Sequence, residues 1–182
     1  MSVAKQPAEA TKAASRKAPA ILVKTLKRGE EASEHRVVLR KREDNTYTAL
    51  LTIALYGHAK KAYKPIKDIR KGLPVTTIGH LSKRLHMEEI SLLPIIGISD
   101  RTWQRRRKDK KPFDSVESDR LYRLAKVYAR ANEVFEDEEV ALDWLKTKNR
   151  ALGDVPLMLL DTEAGTDMVE RVLTRIEHGV YS

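Results

Sequence analysis

From Tyr47 onward, apolar residues recur three and four positions apart, the spacing of one face of an α-helix. Leu50, Leu51, Ala54 and Leu55 form the first such stripe, and Gly57 ends it. Pro65 suits the start of a short helix through Ile66 and Ile69, followed by a break at Gly72-Leu73-Pro74. The next helix is predicted with Pro74 in its first turn, where a missing N–H costs nothing, running to about His86 with Ile78, Leu81 and Leu85 inward. Glu88 to Ile96 is a short apolar segment, and a basic one follows Gly97 and Ile98. Asp114 or Ser115 caps a long helix to about Phe135, with Leu121, Leu124, Tyr128, Ala131 and Phe135 on one face. Asp137 caps another that carries Val140, Trp144 and Leu145. Asn149 to Gly153 reads as a loop, and Asp154-Val155-Pro156 opens a short helical turn. Thr162 or Thr166 starts the last helix, with Val169, Val172, Leu173 and Ile176 inward and Gly179 as its stop.

The expected class is all-α. Residues 1–20, rich in Ala, Lys, Ser and Pro without periodic large apolar residues, read as a disordered tail. The Val37-Val38-Leu39 run is long enough for a short strand but does not decide one. At roughly 150 residues per domain, 182 residues hold one or two small domains.

Charge divides this layout. The chain has 35 Lys+Arg against 26 Asp+Glu, a net of +9. Residues 1–43 are net +6, residues 44–130 net +10 and residues 131–182 net −7. Opposite signs on separate segments point to separate partners. The basic block suits phosphate backbones, or is simply a lysine-rich solubilising surface. The absence of cysteine excludes a disulfide scaffold, a zinc finger and a thiol nucleophile. No apolar run approaches the roughly 18 residues of a membrane span, and the N-terminus lacks the apolar stretch of a signal peptide. The expected location is therefore cytoplasmic, with no membrane partner.

The most informative stretch is Glu89 to Lys108. A DNA-binding helix-turn-helix needs a tight turn with a left-handed Gly, an apolar residue to seal it, a capped second helix and an apolar anchor within that helix. Gly97, Ile98, Ser99 and Trp103 occur in that order, and Leu93 is the expected inward contact from the first helix. The Ser99 hydroxyl is placed to accept from the backbone N–H of Arg101 or Thr102. With Trp103 inward, Arg101, Gln104, Arg105 and Lys108 fall on the outer face. Arg can bond guanine O6 and N7 together, and Gln adenine N6 and N7. Arg106, Arg107, Lys110 and Lys111 would supply phosphate contacts, with the Arg106 stem packing while its head reaches out. The candidate DNA-binding set is Ser99, Arg101, Thr102, Gln104, Arg105, Arg106 and Lys108. The competing reading is a solvated basic helix packed by one Trp. Pro94 lies inside the first helix, where it deletes a hydrogen bond, so that helix is expected to be very short or kinked.

Ser99-Asp100-Arg101-Thr102, Arg105-Arg106-Arg107 and Glu117-Ser118-Asp119-Arg120-Leu121 resemble the DNA-binding half of Xre/MbcA/ParS-type antitoxins. The tail resembles that family's toxin-binding domain through Trp144, Asn149, Ala151-Leu152-Gly153, Pro156, Leu159 to Gly165 and Arg175 to Val180. The likeness covers about residues 70–182, and the basic N-terminal extension is longer than the family's core needs. It implies an antitoxin that covers the active site of a RES-domain toxin, an enzyme that consumes NAD⁺ or transfers its ADP-ribose. It further implies a homodimer that binds operator DNA of its own operon. Three segments follow: 1–44, a basic and largely disordered extension; 45–130, the helical DNA-binding domain; and 131–182, a small helical toxin-binding domain.

The candidate toxin-binding residues are Leu160, Asp161, Glu163, Arg175, Glu177, Gly179, Val180, Tyr181 and Ser182. Gly179 to Ser182, with the terminal carboxylate, are expected to reach into the cationic cleft that must grip the NAD⁺ pyrophosphate. Structural roles compete at several of these positions. Leu159, Leu160, Trp144 and Ile176 suit plain core packing, Asp161 and Glu163 suit a helix N-terminus, and His178 suits a helix C-terminus. Arg175 suits a surface ion pair with Glu170 or Glu177.

Nothing in the chain points to catalysis. Its five His show no metal-ligand spacing, and no Walker loop or nucleophile elbow occurs. Glu136 to Glu139 suit a solvated helix N-terminus better than a metal site. No cofactor is expected. The alternative function is a stand-alone helix-turn-helix transcription factor whose C-terminal domain only dimerises. A metal-dependent nuclease using the acidic tail is the remaining contrast.

Overall fold

The computed structural model describes residues 46–60 and 63–180. The N-terminal extension with its candidate strand lies outside the described residues, as do Tyr181 and Ser182. The order is α1 (46–56), α2 (Pro65–Lys71), α3 (Thr77–Leu85), α4 (Glu89–Ile96), α5 (Asp100–Asp109), α6 (Ser115–Phe135), α7 (Glu138–Lys146), a 3-10 helix (Pro156–Asp161) and α8 (Glu163–Glu177). Among the described residues there is no strand, so the all-α expectation holds.

The helix starts are chemically explicit. Asp114 and Glu117 form a reciprocal capping box, each side chain accepting the other's backbone N–H, at the head of α6. Asp137 accepts from Glu139 and Val140, and Thr162 accepts from Gly165. One helix starts later than its sequence predicts. Pro74 is not in the first turn of α3; it sits in a preceding turn, its carbonyl accepting from Thr77 N at 3.0 Å, and the helix begins at Thr77. The reason is tertiary. The adjacent Leu73 is fully buried, its N–H donating to Ser118 Oγ at 2.8 Å and its carbonyl accepting from Phe113 N at 2.9 Å. A segment held that way by α6 cannot also make helical bonds.

The longest helix, α6, is the spine. It packs against α2, α3, α4, α7, α8 and the 3-10 helix. Leu121, Leu124, Val127, Tyr128 and Ala131 supply its buried side; each fully buried leucine contributes roughly 1.5–3 kcal/mol. The predicted boundary between residues 130 and 131 falls inside this continuous helix, and the buried residues on either side of it form one core. All described residues fall in one compact unit. On α7 the inward face is Ala141, Leu142 and Leu145; Val140, one of the apolar residues this helix carries, is 50% exposed because it stands one position off that stripe. Phe135, Trp144, Val172 and Ile176 are half-buried, with Phe135 and Trp144 packed ring on ring at 5.7 Å.

Candidate functional site

The turn between α4 and α5 follows from two residues. Gly97 takes a left-handed conformation (φ +71°), and its N–H bonds to Pro94 O while Ile98 N bonds to Leu93 O. These paired bonds close the α4 carboxy-terminus as a Schellman motif. A second reason for glycine comes from α6. A Cβ at position 97 would lie 2.1 Å from Arg120 Nη1, and that nitrogen donates to Ile96 O at 3.0 Å. Thus Arg120 satisfies a carbonyl at the helix end through space that only glycine leaves open. Pro94 is tolerated because α4 has only eight residues and the ring lies on its exposed face.

Ser99 caps α5, accepting from Thr102 N at 3.3 Å, and its hydroxyl is also 3.0 Å from that of Thr102. Trp103 is buried and stacks parallel to Phe113 at 6.2 Å, fixing the rotation of α5 about its axis. With that rotation, Arg101, Gln104, Arg105 and Lys108 are all exposed. Gln104 is bonded to Asp100 at 3.2 Å. Arg101, Arg105 and Lys108 form no ion pair among the described residues. Arg107 makes a surface pair with Glu89 at 3.5 Å, worth little in water.

Arg106 departs from expectation. Its head turns inward rather than out: Nη2 bonds Glu117 at 2.8 Å, Nη1 donates to Pro112 O at 2.5 Å, and the guanidinium lies over the Phe113 ring. Both partners of the ion pair are mostly buried. Arg106 therefore fastens α5 to the α6 capping box instead of presenting a charge. The Asp114-x-x-Glu117 spacing was a readable signal for that box, but nothing in the sequence names Arg106 or Arg120 as its partners across space.

Toward the carboxy-terminus, Thr162 caps α8, and Gly165 lets α8 cross the 3-10 helix: a Cβ there would lie 2.0 Å from Leu159 O. Leu160, expected in the partner-binding set, is fully buried and packs in the core, so it supports the surface without forming it. Asp161, Glu163 and Arg175 are exposed. The expected partners of Arg175 are taken, Glu170 by Lys126 at 2.7 Å and Glu177 by Arg130. Arg175 is left without an ion pair among the described residues. Gly179 (φ +67°) ends α8, with Val180 N on Arg175 O at 2.9 Å, and Val180 is 55% exposed. Met158 and Met168 are exposed on the same two helices.

No group of three or more His, Asp or Glu among the described residues is placed to hold a metal ion. In the acidic run, Asp137 is the α7 cap and Glu138 accepts from Tyr128 Oη at 2.6 Å. The phenol's pKa is raised by burial first and by this bond second. No described helix is long and apolar enough to cross a membrane.

Residues 64–126 match a family model described as the antitoxin Xre-like helix-turn-helix domain, and residues 130–179 match the antitoxin Xre/MbcA/ParS C-terminal toxin-binding domain. A protein named antitoxin Xre from Photorhabdus laumondii is 36% identical over 116 residues, covering 63% of this chain and 78% of the relative. Another antitoxin Xre, from Pseudomonas putida, is 32% identical over 154 residues, covering 80% of this chain and 94% of the relative. A protein from a Sphingobium species named Prs ADP-ribosylating antitoxin is 25% identical over 124 residues, covering 63% and 78%.

Proposed function

The chain belongs to the Xre/MbcA/ParS-type antitoxin family, and from that premise we propose that it neutralises a RES-domain toxin while repressing the operon that encodes both. The toxin would be an NAD⁺-consuming or ADP-ribosylating enzyme, bound by residues 131–182, and the antitoxin itself would be a cytoplasmic, non-enzymatic homodimer. The observation that carries this reading is the division of the surface. An exposed basic face stands on a helix whose rotation Trp103 fixes, and an acidic segment that matches a toxin-binding domain is fastened to the same spine.

On the DNA side, Arg101, Arg105, Gln104 and Lys108 are the proposed groove contacts, with Ser99 and Thr102 at the helix entrance near phosphates. Arg106 enters the proposal as the residue that positions them. On the toxin side, Asp161, Glu163 and Arg175 are proposed as rim contacts, and Gly179 to Ser182 as the segment entering the toxin's cleft. Glu177, tied to Arg130, and the buried Leu160 hold that surface in place.

Growth rescue tests the proposal. Co-expression should relieve the toxicity of a RES-type protein encoded next to this chain's gene. A truncation ending at His178 should bind DNA yet fail to rescue. Full rescue by the truncation would remove the terminal segment from the mechanism. Promoter binding with no rescue by the full chain would favour a stand-alone transcription factor. Arg105→Ala should weaken operator binding more than binding to unrelated duplex, because a bidentate base contact discriminates by about 1–3 kcal/mol.

A further inference from the structure

We infer that the groove between α2 and the carboxy-terminal end of α5 is an additional phosphate site, which grips the DNA backbone beside the exposed face of α5. This rests on the DNA-binding reading above and adds to it Lys60 and Lys71, which lie outside the helix-turn-helix and line one groove with Lys110 at the end of α5.

The groove encloses about 390 Å³, and its lining brings together Lys60, Lys71 and Lys110 from three separate segments. Lys60 follows α1, with its backbone N–H fixed by the buried Thr52 hydroxyl at 3.1 Å. Lys71 is the last residue of α2, and Lys110 is the C-cap of α5. The single carboxylate of the lining, Asp68, is engaged by Tyr56 Oη at 2.7 Å and by Lys60 Nζ at 3.4 Å. Lys60 also lies over the Tyr56 ring. Lys71 and Lys110 are thereby left as uncompensated cations on one groove, with no ion pair among the described residues. With three lysines against one engaged carboxylate, the groove carries a net positive charge that an entering anion would offset.

The backbone at Lys110 adds a second observation. Its φ is +51°, the left-handed region, and it closes α5 through Lys110 N to Arg107 O and Lys111 N to Arg106 O. The same kind of turn elsewhere in this chain is made with glycine, at Gly97 and Gly179. His86 and Glu136 also take positive φ at helix ends, and His86 likewise lines a groove, with Lys83 and Arg84. At Lys110 this strained backbone coincides with a place in the basic groove.

Placement agrees. A ten-residue helix is about 15 Å long, so the groove lies that far from the Ser99 end. Lys108 and Lys111, which flank Lys110 in sequence, are both exposed. Base contacts near the helix start and phosphate contacts at its far end fit one duplex lying along α5. Lysines act as point charges without a fixed fork, so this site would read charge rather than sequence.

The test uses the full chain, with a duplex carrying its own promoter and a scrambled duplex, read by fluorescence anisotropy across a salt series. A Lys71→Gln/Lys110→Gly double variant should lose about fivefold or more on both duplexes alike, and its slope of log K against log salt should become shallower by about 1–2. Lys110→Gly alone should bind DNA more weakly while its thermal midpoint holds or rises, because glycine relieves the left-handed strain. A fall in both would overturn the site and make Lys110 structural. Unchanged affinity and slope in the double variant, with the native chain binding DNA normally, would overturn the groove and leave the helix-turn-helix reading standing. Failure of the native chain to bind either duplex would overturn that underlying reading, and the groove with it.

Discussion

Arg106 has 15% of its side chain exposed and bonds to Glu117 and the Pro112 carbonyl, whereas Arg105 beside it stands in solvent. Removing one member of a mostly buried ion pair strands the other, so Arg106→Ala should cost about 3 kcal/mol in urea unfolding. Arg105→Ala should stay within about 0.5 kcal/mol, as surface changes usually do. Equal losses for the two would mean that the Arg106 head is solvated rather than packed. His80 supplies a residue-scale test of pH. Burial first, then Lys83 and His58, lower its pKa below the ordinary 6.5. The unfolded chain therefore takes up the proton more readily than the folded one, and stability is lost as pH falls below that ordinary value. The thermal midpoint of the native chain should drop more steeply between about pH 7 and 5.5 than that of His80→Gln. Parallel curves would assign the drop to other groups.

Among the elements, the ones legible in the sequence were those whose signals are local. Ser99, Asp114, Asp137 and Thr162 announce helix starts because a cap bonds within three residues. The Gly97 turn and the Trp103 anchor were equally visible, since their spacing is the motif. What stayed hidden depends on distance through space. The late start of α3 comes from Ser118, 45 positions away from Leu73. The inward head of Arg106 comes from Glu117, and the outward face of Val140 from how α7 rolls on α6. Gly165 lies between these cases: it appears in the tail motif, but only the crossing of α8 over the 3-10 helix explains it. With a Cβ placed 2.0 Å from the Leu159 carbonyl, Gly165→Ala must push the two helices apart, at a cost of about 1–3 kcal/mol. It should also weaken toxin binding while leaving DNA affinity unchanged. A stable variant with native toxin affinity would show that the crossing is more pliable than the packing implies.

At the scale of the whole molecule, the question is whether the basic and acidic segments are two domains or one. They differ in net charge and match two separate family models, yet α6 runs without a break through both. The 3-10 helix of the acidic segment packs on α4 of the helix-turn-helix, and Arg130 on α6 holds Glu177 at the end of α8. Lys146 on α7 donates to Leu85 O at the end of α3 at 3.0 Å. Separate unfolding would have to break all of these and expose both sides of α6, so the described core should unfold as one unit. The chain carries its own reporters, because its two tryptophans fall one in each half: Trp103 on α5 and Trp144 on α7. Trp144→Phe leaves a probe of the helix-turn-helix, and Trp103→Phe leaves a probe of the acidic segment. Within each variant, the fluorescence midpoint in urea should coincide with the midpoint of helical circular dichroism. In Trp103→Phe the shared midpoint should fall, because the stacking on Phe113 is weakened. That fall should be sensed by Trp144 although it lies on a different helix. If Trp144 instead reported an undisturbed midpoint while the helical signal split into two steps, α6 would be a linker between two independent folding units rather than their common spine.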